Sequence, residues 1–144
     1  GRRMRIIYSL LLGTFLATPG FAQVNSVAGQ EEPLPLPTEW ETYFVMLIRP
    51  GPVVEWQREA LQELMNEHIQ YQLRLQADGR AIAAGGVAPD STAAASLVGF
   101  TLLRASSLEE AKAWAEADPA VAAGRFSAEV RTWYVPAGRL SRPD

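Results

Sequence analysis

The alternation of apolar and polar positions divides the chain from about residue 40 onward into four segments of strand character and two of helical character. Tyr43 to Ile48 is an unbroken apolar run closed by Arg49-Pro50-Gly51-Pro52. That length, with that breaker, predicts a strand covered on both faces. From Val54 to Ala77 the apolar positions step by three and four residues, so that Leu61, Leu64, His68, Tyr71 and Leu75 share one face of a helix. Asp78-Gly79 ends it, Gly79 being suited to a left-handed cap. The segment "RAIAAGGVA" reads as a weaker strand broken at Gly85-Gly86, "DSTA" as a turn, and "SLVGFTLLR" as a third strand. Ser107 is placed to cap a second helix, with Glu110 three residues on as its capping-box partner, and that helix runs to about Ala117. "RFSAEVRTWYV" is the last strand, ended by Pro136 and Gly138.

The order is βαββαβ. It predicts an α+β ferredoxin-like sandwich: a four-stranded antiparallel sheet with two helices on one face, the first and third strands central and the second and fourth at the edges. In the last strand Phe126, Ala128, Val130 and Tyr134 fall on one side and Ser127, Glu129, Arg131 and Trp133 on the other. Helices on a single face leave the other face of an all-apolar first strand in water. Burying one Phe or Leu side chain is worth roughly 1.5–3 kcal/mol. The expected solution is a homodimer packed sheet on sheet.

The beginning of the chain is of another kind. Arg2, Arg3 and Arg5 precede an apolar run from Ile6 to Ala17, which closes on Gly20-Phe21-Ala22. Residues 1–22 therefore read as a signal peptide; the competing reading, an uncleaved anchor, needs a longer apolar run. Residues 23–40 hold prolines at 33, 35 and 37 and read as a linker, residues 41–137 as the folded domain and 138–144 as a tail. Export implies a periplasmic or secreted protein with no membrane contact after cleavage. The full chain has 13 basic and 16 acidic residues; removal of the three N-terminal arginines leaves 10 against 16, a net of −6. An acidic domain without a basic cluster argues against nucleic acid as a partner.

Few side chains are left for chemistry. There is no cysteine, which excludes disulfides, thiolate metal sites and thiol nucleophiles together. Lys112 is the only lysine. His68 is the only histidine and lies where a leucine would satisfy the apolar face, so a core histidine and a functional one are both open readings. One histidine without a ligand cluster gives no metal site. Asp118 precedes Pro119, and an aspartate cap with proline at the first helical position explains why the helix stops there and a new turn begins.

The run "HIQYQLRLQADGRAIAAGG" followed by "GFTLLRASSLEEAKAWAEADPAVAAG" resembles the YCII-related family of small bacterial proteins. The carriers of the resemblance are His68, eleven residues before Gly79 and seventeen before Gly85, and Asp118-Pro119 with Gly124 six residues after the aspartate. It covers about residues 43 to 135 and implies a dimeric α+β barrel with a histidine–aspartate dyad in a cleft, by position His68 and Asp118. Relatives often carry an arginine three residues before the histidine, where this chain has Met65, and a proline where it has Gly86. The substrate-binding candidates are accordingly Arg49, Gly85 and Arg131.

A carboxylate beside an imidazole fixes its tautomer and stabilises the imidazolium, and such a ring shuttles protons near neutral pH. No G-x-S-x-G nucleophile elbow and no G-x-G-x-x-G dinucleotide loop is present. The expectation is a cofactor-independent lyase, isomerase or dehydrohalogenase acting on a small organic molecule. Its rivals are a non-catalytic ligand-binding or accessory dimer, in which the pair is structural, and a haem site with His68 as axial ligand, for which a helix-facing ring leaves little room.

Overall fold

The sheet has the strand order β2-β3-β1-β4, antiparallel throughout. A computed structural model describes residues 31–90 and 96–140. Contacts separate Gly1–Leu36 from Pro37–Asp144, and the fold is that of the second unit. The signal-peptide reading lies outside the described residues, as does most of the "DSTA" turn. Among the described residues no helix is long and apolar enough to cross a membrane. The elements are β1 (Trp40–Pro50), α1 (Arg58–Ala77), β2 (Ala81–Gly86), β3 (Gly99–Leu103), α2 (Leu108–Glu116), a single turn α3 (Pro119–Ala122) and β4 (Phe126–Pro136). This is the ferredoxin-like arrangement, with β1 and β3 central and the helices on one face.

The core lies between helices and sheet. Phe44, Met46 and Ile48 of β1 and Leu103 of β3 meet Leu75 of α1 and the alanines Ala111 and Ala115 of α2. Those alanines, one helical turn apart and fully buried, let α2 sit close against the sheet. Tyr71 ties the helices together by donating its hydroxyl to the Trp114 carbonyl at 2.8 Å. Burial, aided by Asp118 and opposed by Arg80, holds the Tyr71 phenol above its ordinary value. The opposite face of the sheet is covered only at one end, where Leu140 and Ile82 pack on Tyr43, Leu102 and Val135. At the other end Phe100 is exposed and Leu47 half-buried.

Several local expectations are corrected. The helix begins at Arg58, not Val54, with Gln57 still extended ahead of it; the segment before it pairs instead with the corner ahead of β4, Gly51 and Val53 giving their N–H groups to the carbonyls of Arg125 and Gly124 at 2.8 and 2.9 Å. The second strand is not broken at its glycines: Gly85 and Gly86 pair with Phe100 and Gly99, and the irregularity falls between Ala81 and Ala83. Ser107 caps α2 by accepting the Glu110 N–H at 3.1 Å. The Glu110 carboxylate does not close the box on Ser107 but takes both the N–H and the hydroxyl of Ser106, which hold it below the usual carboxylate range. Tyr134, on the inward side of β4 by alternation, is exposed, while Val135 on the far side is buried under Leu140. Gly79 takes the left-handed cap at φ 81°.

Candidate functional site

Asp118 is wholly buried, and every bond it makes follows from where the chain puts it. Proline at 119 ends α2, and the new turn starts with Asp118 in extended conformation as its N-cap. Its Oδ1 accepts the Ala120 N–H at 2.9 Å, an ordinary cap. The same carboxylate faces α1. Gln72 donates from Nε2 to Oδ2 at 2.8 Å, and His68 Nδ1 lies 2.8 and 2.9 Å from the two oxygens. His68 and Gln72 are four residues apart, so both look from one side of the helix at one point. Thr101, in the middle of β3, completes the chain by donating its hydroxyl to Gln72 Oε1 at 2.7 Å.

The direction of these bonds determines the tautomer. With the threonine proton on Oε1, the amide nitrogen of Gln72 must face the carboxylate; the reverse orientation would bring two acceptors together. Asp118 then receives the Gln72 amide and the Ala120 N–H, and as an acceptor it also receives a hydrogen bond from the N–H at His68 Nδ1. A neutral imidazole so held keeps its lone pair on Nε2. Nε2 makes no hydrogen bond among the described residues. Phe126 of β4 stands edge-on to the ring at 5.2 Å between centroids and fixes its plane.

His68 forms part of the wall of a cavity of about 370 Å³ between α1 and the sheet. Met65, Ile69, Leu73 and Gln76 give the helical side and Ile48, Val98, Phe126 and the ends of β2 and β3 the other. Glycines leave the room. Gly86 pairs with Gly99, which pairs in turn with Ile48, so all three share the cavity side of the sheet. A Cβ at Gly86 would meet only the Val98 carbonyl, at 3.7 Å.

The structure thus brings His68 and Asp118 together, fifty residues apart in sequence, and puts Gly85 in the cavity wall. It does not bring Arg49 or Arg131 there. Each lies on the opposite face of the sheet, Arg49 because it follows inward-facing Ile48 and Arg131 because it follows Val130. Both are engaged by Glu129, at 2.9 and 3.4 Å. Gln72 and Thr101 were missed by sequence reasoning. Their signal was a polar residue one turn after His68 and a lone hydroxyl within "GFTLL". Among the described residues no cluster of three metal-ligating side chains occurs.

Fold and site together define a small α+β domain with a histidine–carboxylate pair at a helix–sheet cavity. Residues 42–134 match the YCII-related domain, and the chain belongs to that family. No curated protein matches it. A solved structure to which it is similar is 5-chloro-2-hydroxyhydroquinone dehydrochlorinase (TftG) from Burkholderia phenoliruptrix AC1100, in complex with 2,5-dihydroxybenzoquinone. The identity is 22%, the TM-score 0.43, and the alignment covers 63% of this chain and 92% of that one.

Proposed function

We propose that this protein is a cofactor-independent acid/base enzyme in which His68 takes a proton from a small organic molecule and returns it, as in isomerisation or elimination. The observation that supports this best is the division of the imidazole: Nδ1 is held by a buried carboxylate at 2.8 Å, and the remaining nitrogen belongs to a residue of the cavity wall. Asp118 is the positioning partner. It orients the ring and stabilises the imidazolium formed after proton abstraction, at the cost of no reorganisation, since its other bonds come from the fold. A base of this kind contributes roughly 10²–10⁴-fold.

A second reading has its own support. Asp118 caps α3 and anchors α1, so the pair would be retained as a brace in a ligand-binding module without catalysis. Solvent-deuterium exchange separates the two. Neutral carbon acids incubated with the protein in D₂O lose their acidic proton signal in ¹H NMR if His68 is a base, and His68→Gln removes this while leaving the melting transition in place. If the wild type exchanges nothing and His68→Gln only lowers the melting temperature, the brace is the function of the pair.

The same proposal includes a second copy of the chain. The open face of the sheet, with Leu47 and Phe100, packs against its counterpart in a homodimer of the α+β barrel type.

A further inference from the structure

The cavity beside His68 has no cation in its wall. Its lining is mostly aliphatic and aromatic, and its polar side chains are His68, Gln72, Gln76 and Thr101, all uncharged while the imidazole is neutral. Each already has a partner: His68 Nδ1 and the Gln72 amide are held by Asp118, Thr101 donates to Gln72, and the Gln76 amide donates to the Gln72 carbonyl at 3.4 Å. Asp118 stands behind them, wholly buried, with its oxygens taken by three donors. Arg49 and Arg131 are turned to the far face and held by Glu129, and Arg125, whose guanidinium lies over the Phe126 ring at 5.1 Å from its centroid, is not part of the lining.

Each type of guest can be weighed against this wall. A carboxylate or phosphate would surrender its hydration with no guanidinium or ammonium in the wall to replace it, and close to a fixed negative charge. An ammonium would find that charge only behind His68 and Gln72, with its acceptor positions filled. An uncharged molecule loses little on entry and gains apolar contact along Met65, Ile69, Leu73 and Val98. The volume, near the small end of the roughly 300–1,000 Å³ usual for ligand pockets, suits a single substituted ring.

We infer that the site selects an uncharged guest about one ring in size, bearing a hydrogen-bond donor for His68 Nε2, and rejects organic anions. Met65, one turn before His68 on the cavity side of α1, is the specificity-determining position. The inference rests on the acid/base reading only for where the guest lies and which atom it meets.

Benzyl alcohol, benzoate and benzylamine share a ring and differ in charge. Their binding to the untagged protein is followed by the ring signals of the chain's only histidine. Benzyl alcohol is expected to shift them with a Kd at least about tenfold below that of either ion. Gly86→Val, which puts a side chain into the cavity, abolishes the alcohol's effect. Met65→Arg inverts the order, with benzoate gaining about tenfold over its affinity for the wild type. Benzoate binding the wild type as tightly as the alcohol overturns the inference, as does no shift with any of the three probes, or alcohol binding undiminished by Gly86→Val. In His68→Gln, read at the Met65 methyl, the preference for the uncharged ring persists even though proton exchange is lost. A wild type that binds selectively but exchanges nothing therefore sinks the acid/base reading alone.

Discussion

At the scale of single residues, Gln72 shows how much of the site is hidden from a pattern of apolar steps. It is 7% exposed, donates to Asp118 and accepts from Thr101. Replacement by leucine would take one of two partners from a buried carboxylate oxygen, leaving it to His68 alone, and would leave the buried Thr101 hydroxyl without its acceptor. The expected loss is about 1–3 kcal/mol in urea unfolding, larger than for His68→Gln, whose amide can still donate to Asp118. A loss for Gln72→Leu no greater than that of His68→Gln would show that the network does not bind the helix to the turn. Legibility differed from residue to residue. His68 and Asp118 were readable because a lone histidine and an Asp-Pro step are rare tokens with fixed spacing to glycines. Arg49 and Arg131 were misplaced although the alternation of a strand contained the answer: a neighbour of inward-facing Ile48 points outward. Thr101 offered least, since a hydroxyl within a β-branched position is ordinary in any strand.

At the scale of elements, period and breakers gave every strand and both long helices, but ends depended on pairing between segments remote in sequence. The start of α1 is the instructive case. The apolar steps continue back to Val54, yet the backbone N–H groups of Gly51 and Val53 pair with carbonyls near residue 124, and the first bond of the helix runs only from the Leu61 N–H to the Gln57 carbonyl. That crossing is tight. A Cβ on Gly51 would overlap the carbonyl of Gly124, while Gly124 itself stands at φ +81° against Val53. Gly51→Ala is therefore expected to cost upwards of about 1–3 kcal/mol, the range for overpacking. In amide hydrogen exchange the loss of protection should centre on residues 120–126 and the first turn of α1. An alanine variant as stable as the wild type would mean that the crossing yields without effort. The β2 irregularity between Ala81 and Ala83 left no mark in the sequence, whose obvious suspects were the two glycines further on.

At the scale of the whole molecule, the sheet has one finished face and one half-finished one. Helices close the first. On the second, Tyr43, Leu102 and Val135 are covered by Leu140, whereas Phe100 and Trp133 are 44% and 40% exposed, and half-buried Leu47 is paired with Phe100 across the ladder. A homodimer would cover this patch. Light scattering is expected to give twice the chain mass at micromolar concentration, and Phe100→Asp to give the single mass with an unchanged circular dichroism spectrum. A wild type that stays single at high micromolar concentration removes the dimer from the proposal. The one-sided helices and the apolar first strand made this face readable. The partial cover by the tail was not, because Leu140 follows Pro136 and the turn at Gly138 with no periodic pattern to place it.

The carboxylate of residue 118 belongs to two structures at once, the first turn after a proline and the platform under an imidazole. Changing its chemistry to retune the ring also loosens the corner of the backbone on which the ring depends. If the proposed acid/base role holds, changes of ligand preference are thereby directed elsewhere, above all to the bare strand end at Gly86, where an added side chain would meet only the Val98 carbonyl.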